Sequence, residues 1–78
     1  MNNQQQLLDT LLQKCKGKDP KKTQMISVAE FRQDLSTTHS HLNNDEIKDK
    51  MRDVAPYIEE ENKNINYLLA IEFLVQNP

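Results

Sequence analysis

Ten residues, Tyr67 to Gln76, carry Leu68, Leu69, Ile71, Phe73, Leu74 and Val75 and read as a helix that is apolar nearly all round. In a chain of 78 residues such a helix demands cover, from the rest of the chain or from something that binds it. The remaining apolar residues fall into three further stripes at helical period. A first helix is expected over Asn3 to Lys16, where Leu7, Leu8, Leu11, Leu12 and Cys15 share one face. Lys14 and Lys16 suit the negative end of its dipole, and Gly17 is placed for a left-handed stop. The polar run Asn2 to Gln6 before it reads as a frayed end.

A second helix starts at Ser27, because Ser27-Val28-Ala29-Glu30 spells a capping box in which serine and glutamate each satisfy an orphan amide. Val28, Phe31 and Leu35 form its apolar face, and it is expected to fade over Ser36-Thr37-Thr38. A polar linker then leads to Asn43, which caps a third helix with Glu46 three residues on. Ile47, Met51 and Val54 make the third stripe, and Pro56 ends it by pushing Ala55 out of helical geometry. Length sets one domain, close to the size at which a core just suffices. A single glycine and sparse turn signals exclude an all-β fold built from hairpins.

The segment between the first two helices carries a specific pattern. Asp19-Pro20-Lys21-Lys22-Thr23-Gln24-Met25-Ile26-Ser27-Val28-Ala29-Glu30-Phe31 has an acidic first position, an apolar eighth, a glutamate twelfth and a phenylalanine next. That is the frame of an EF-hand loop without its calcium chemistry. Positions three, five and six, where the ion needs oxygen ligands and a glycine, hold Lys21, Thr23 and Gln24. Lys16, Lys18 and Lys22 make the local field positive. Farther on, Asn64-Ile65-Asn66-Tyr67 matches the end of a second such loop, with Ile65 set to pair with Ile26. Counted from the third helix, this second loop would run from Ala55 to Leu69, three residues too long, with neither anchoring carboxylate. Glu59, Glu60 and Glu61 within it read as a solvated acidic run.

From Leu7 to Val75 the chain resembles one lobe of the calmodulin and myosin light chain superfamily. It departs from the family where aromatics are expected, at Cys15, Lys18 and Ala70. The resemblance implies an all-α fold: four helices forming one pair of degenerate EF-hands, with a short two-stranded ribbon between the loops. Residues 7–36 would be the first hand, 37–42 a linker and 43–76 the second hand, after a frayed 1–6. A single lobe with lost metal sites is similar to a single-lobe light chain of an unconventional, class I myosin. The implied function is calcium-independent gripping and stiffening of an IQ-motif helix in the heavy chain's neck. The implied location is the cytoplasm, on actin through the myosin.

By that resemblance, Ile26, Phe31, Leu35, Met51, Val54, Ile65, Ile71 and Leu74 match positions of the lobe's core and groove, two roles that sequence does not separate. Phe73 lies off the main stripe and is expected to meet the partner. Met25 and Met51 offer adaptable contact surface, with core filling the simpler use. Asp19 and Glu30 are remnants of a metal site, and Glu30 has a full explanation as the third residue of its capping box. Two rival readings stay open: an atypical EF-hand calcium sensor using Asp19, Glu30 and the Glu59–Glu61 run, and a self-associating EF-hand interaction protein. The light-chain reading expects a monomer when free and no cofactor.

Other chemistry is poorly supported. His39 and His41 read as solvated linker histidines with no third ligand nearby in sequence. Cys15 sits on an apolar stripe, where a buried inert thiol is the default, and no catalytic grouping surrounds it, so no enzyme is expected. A lone cysteine excludes an internal disulfide and suits a reducing compartment. No apolar run reaches ~18 residues, and no secretory signal is visible. A net charge of −2 disfavours a nucleic-acid partner and permits a basic one.

Overall fold

The computed structural model describes residues 3–59 and 63–77, with side chains from Gln5 onward. Glu60 and Glu61 therefore lie outside the described residues. Helix α1 spans Asn3–Gly17, so the described part of the glutamine run is helical. It buries Leu8, Leu11 and Cys15, spaced three and four residues apart on one face. The left-handed stop expected at Gly17 does not form, since no glycine has a positive φ. The helix instead tightens into a 3-10 turn, with the Lys18 and Asp19 amides donating to Cys15 and Lys16 carbonyls at 3.0 and 3.1 Å. Left-handed backbone falls later, at Lys22 (φ 56°) and Gln24 (φ 68°).

Strand β1 (Met25–Ser27) follows, and β2 (Ile58–Glu59) and β3 (Asn64–Asn66) join it in an antiparallel sheet of order β1-β3-β2. Ile26 faces Ile65 across the first pair, as the sequence suggested. The expected two-stranded ribbon is corrected to three strands, because Ile58 and Glu59 pair with Ile65 and Asn64 on the other side of β3. A 3-10 turn over Ala55–Tyr57, with Pro56 near its start, delivers Ile58 in extended conformation beside β3. Two residues carry no readable period, so this strand left no signature in the sequence.

Helix α2 (Val28–Thr38) is capped by Ser27, whose hydroxyl accepts from the Glu30 amide at 3.1 Å. The return bond expected from the Glu30 carboxylate is not made, so the box is half of what the sequence promised; Ser27 is also the last residue of β1, opposite Asn64. The helix ends at Thr38, the last residue of the hydroxyl run, as the sequence reading expected. Thr37 and Thr38 each donate back to the Asp34 carbonyl, at 3.0 and 2.8 Å, and carry the helix through Thr38.

Helix α3 (Asn44–Asp53) has the full box, with Asn43 and Glu46 exchanging bonds of 2.8 and 3.1 Å. Helix α4 (Tyr67–Gln76) is capped by Asn66, which accepts from the Leu69 amide at 3.1 Å. It packs against α1, which also packs on α2, and α2 in turn meets α3. Phe31, Leu35, Val54, Ile65, Leu11, Leu74 and Cys15 are the largest fully enclosed side chains. Most of the α4 surface is thereby covered from within: Tyr67, Ala70, Ile71 and Leu74 are buried, while Leu69 and Val75 stay exposed. No helix among the described residues is long and apolar enough to cross a membrane.

Gly17 tests the helix end directly. A Cβ there would meet nothing within 4 Å and the backbone is already helical. Gly17→Ala is expected to stabilise the fold by about 0.5–1 kcal/mol, read as a higher urea midpoint at unchanged slope. A lower midpoint would mean that Gly17 needs left-handed freedom after all.

Candidate functional site

Two features concentrate the chemistry: the loop after α1, and a cleft at the opposite end of the helices. The loop is organised by one carboxylate. Asp19 is buried, 6% exposed, and each of its oxygens receives two donors. Oδ1 accepts from the Thr23 amide and the Thr23 hydroxyl, both at 2.8 Å. Oδ2 accepts from the Gln24 amide and the Tyr67 hydroxyl, again at 2.8 Å each. Burial alone would raise this carboxyl, but the bonds from Thr23, Tyr67 and Gln24 outweigh it and hold its pKa down to about 2.

The local sequence explains the geometry. Pro20 starts a turn closed by the Lys22 amide on the Asp19 carbonyl at 3.0 Å. The left-handed Lys22 and Gln24 then fold Thr23 and Gln24 back so that their N–H groups aim at the carboxylate. Left-handed residues other than glycine cost about 1 kcal/mol each, and charge-assisted bonds to Asp19 offset that cost. The Gln24 carbonyl accepts from the Tyr67 amide at 3.2 Å, so Tyr67 is tied to the loop twice. Burial and the Asp19 carboxylate push the Tyr67 phenol up to about 12, which keeps it a donor at any ordinary pH.

Lys18, read from sequence as one of three lysines that make the loop's field positive, reaches α2 and pairs with Asp34 at 2.7 Å. The Asp34 side chain holds it above its usual range. The other Asp34 oxygen, Oδ2, is buried and has no hydrogen-bond partner among the described residues. Cys15 is enclosed nearby, and burial followed by the charge of Asp34 pushes its thiol up to about 12, the behaviour of an inert packing group. Glu30 is exposed and does not approach the Asp19 cluster through any hydrogen bond. Among the described residues no three His, Cys, Asp or Glu side chains are grouped to hold a metal.

The second feature is a cleft of about 680 Å³ at the ends of the helices remote from the sheet. Leu7 and Leu8 of α1, Leu35 of α2, Leu42 of the linker and Leu74 of α4 supply its apolar lining. Gln6, His39, His41, Glu46 and Lys50 supply the polar part. Its size and its mostly apolar wall with a few polar groups are typical of a binding cavity.

Of the residues singled out from sequence, Leu35 and Leu74 line this cleft. Ile26, Phe31, Val54, Ile65 and Ile71 are buried in the core instead. Met51 is half-buried against that core. Phe73 is half-buried beside the Tyr57 ring, with centroids 6.1 Å apart, and does not line the cleft.

His39 corrects the sequence reading most clearly. It is 5% exposed rather than solvated, while His41, 6.0 Å away between ring centres, does stay exposed. The turn that closes with the Leu42 amide on the His39 carbonyl, at 2.9 Å, folds the linker over the helix ends and encloses the ring. Burial lowers the His39 pKa; the Leu35 carbonyl opposes this, and the charges of His41 and Lys50 add to it. Sequence reasoning also missed Tyr67 as a loop anchor and Leu42 as lining. Leu42 could have been noticed as a lone apolar residue in a polar linker; Tyr67 reaches across 48 positions of chain and could not.

No family model, curated protein or solved structure matches this chain.

Tyr67→Phe removes one donor from Asp19 and is expected to cost about 1.5–3 kcal/mol by urea unfolding. The folded carboxyl titrates near 2 against an ordinary 3.8, so its contribution is complete above about 3.8 and is lost as pH falls through about 2. The variant's acid unfolding should begin at higher pH than the parent's. An unchanged acid limb would mean that Tyr67 does not hold the carboxylate.

Proposed function

We propose that this chain is a degenerate EF-hand pair that works as a calcium-independent light chain, clasping an IQ-motif helix of a class I myosin neck. The observation that carries the reading is the state of Asp19. In a calcium loop the first carboxylate offers its oxygens to the ion. Here both oxygens are taken up by two N–H and two O–H donors of the chain itself. Four positive hydrogen ends stand where a cation would need lone pairs. The loop therefore has an internal substitute for the ion, and its shape does not depend on calcium concentration. This weighs against the sensor alternative.

Two further observations support a helix as the occupant. The cleft has an apolar lining contributed by three helices and the linker, which suits the apolar stripe of an amphipathic helix. Its α3 side carries Glu46 and Lys50 on the cleft, with Asp45 and Asp53 exposed along the same helix and Asp49 paired with Arg52 at 3.1 Å, so two exposed carboxylates remain for basic residues flanking such a stripe. A bound helix would be stiffened because its apolar side chains are fixed between elements already held rigid by the core.

Calorimetric titration with an IQ-helix peptide in excess chelator is expected to give one-to-one binding, with the same dissociation constant when calcium replaces the chelator. Leu42→Ala, at a half-buried lining position, should weaken that binding about tenfold or more and lower stability less than a fully buried leucine would. Binding that appears only with calcium would contradict the proposal, as would full affinity in the Leu42 variant.

A further inference from the structure

His39 is the one buried ionisable ring in the cleft wall, and the helix-clasping reading gives it no role yet. Its hydrogen bonding to Thr38 is compatible with a proton on Nδ1. Thr38 has a single hydroxyl proton, and its oxygen lies 2.8 Å from the Asp34 carbonyl and 3.2 Å from that of Leu35. With that proton given to a carbonyl, the Thr38 oxygen is an acceptor toward His39 Nδ1, 2.9 Å away. In the tautomer that matches this arrangement Nδ1 carries the hydrogen of the neutral ring and Nε2 is the acceptor. Among the described residues the ring's hydrogen-bond partners are the Thr38 hydroxyl and the Leu35 carbonyl, and neither comes from the far side of the cleft. The His39 ring forms part of the cleft wall.

The surroundings leave this acceptor to an incoming group. On α1 the cleft presents Gln6, Leu7 and Leu8, and on α4 Leu74, none of which titrates. The linker contributes His41, and α3 contributes Glu46 and Lys50. Burial favours the neutral ring, and the charges of His41 and Lys50 add to it against the opposing Leu35 carbonyl. An apolar surface laid over the cleft would strip the remaining water from Nε2, and a buried acceptor without a partner is costly.

Resting on the helix-clasping reading, we propose that His39 is a specificity-determining residue: its Nε2 accepts a hydrogen bond from an N–H or O–H donor within the apolar face of the bound helix. The cleft then selects a helix whose hydrophobic stripe is interrupted by a donor, such as a side-chain amide or hydroxyl, and rejects a purely aliphatic one. Occupancy also requires the neutral ring. A protonated His39 presents a second N–H toward the donor and a buried positive charge, so affinity falls with acidification and binding displaces the proton.

The test is calorimetric titration of the full chain with the IQ-helix peptide at pH 7.5 and 5.5, with circular dichroism confirming the folded state at both. The affinity is expected to fall several-fold at pH 5.5, with about tenfold as the ceiling set by an ordinary imidazole value near 6.5. His39→Gln, which keeps an acceptor but cannot titrate, should bind at pH 7.5 and lose the pH dependence. His41→Gln should retain it. Nuclear magnetic resonance titration of the His39 ring should show a lower pKa in the complex than in the free chain, a readout that does not depend on any variant folding. Equal affinity at both pH values, tighter binding at pH 5.5, or a raised ring pKa in the complex would each overturn this inference while leaving helix binding intact. No binding at pH 7.5 would overturn the helix-clasping reading and this inference with it.

Discussion

The hydrogen-bonded carboxylate of Asp19 connects the first loop to the start of α4, and the rest of the architecture is built on that connection. Its bonds to the Thr23 and Gln24 amides hold the left-handed turn, and the turn aims β1 at β3. Its bond to the Tyr67 hydroxyl fixes where α4 begins, and the Tyr67 amide closes the same circuit on Gln24. Once α4 is set at that end, its other end brings Leu74 to the cleft. An ion would perform the same organising task by attraction to oxygens. This chain performs it with N–H and O–H donors pointing at the carboxylate.

The core is assembled from modest parts. Cys15 and Ala70 are small, and both are fully enclosed. Small residues let α1 and α4 come close, and Tyr67 supplies an aromatic body on the same side, with its polar tip spent on Asp19. Phe31 fills the centre, and the three isoleucines Ile26, Ile58 and Ile65 seal the sheet end. The Lys18–Asp34 pair ties the loop to α2 as well, although the buried Asp34 Oδ2, with no hydrogen-bond partner among the described residues, makes that pair a weaker source of stability than its 2.7 Å length suggests.

Much of this was legible in the sequence, for reasons that can be named. The four helices follow from apolar spacing, and two of their starts follow from Ser27 and Asn43, because capping is a local interaction between residues two or three apart; the Asn66 cap of α4 was equally local and was not read. The Ile26–Ile65 pairing was legible through the matching loop ends. What sequence could not carry was anything that depends on distant meeting. The donors converging on Asp19, the burial of His39 under a folded linker, and the division of the predicted apolar set into core and cleft are all of that kind. The two-residue β2 is too short for a pattern. Gly17 shows the opposite failure: its residue type suggested a left-handed cap, and the chain used a 3-10 turn there and put the left-handed backbone at Lys22 and Gln24.

The central claim is that protein donors, and no ion, satisfy the Asp19 carboxylate. Carbon-detected nuclear magnetic resonance of the Asp side chains, followed through an acid titration with and without millimolar calcium, tests it most directly. The account predicts that Asp19 titrates near 2, that the Thr23 and Gln24 amides move with the same midpoint, and that calcium shifts none of the three. A midpoint near the ordinary 3.8, or a calcium-dependent shift of those amides, would contradict it.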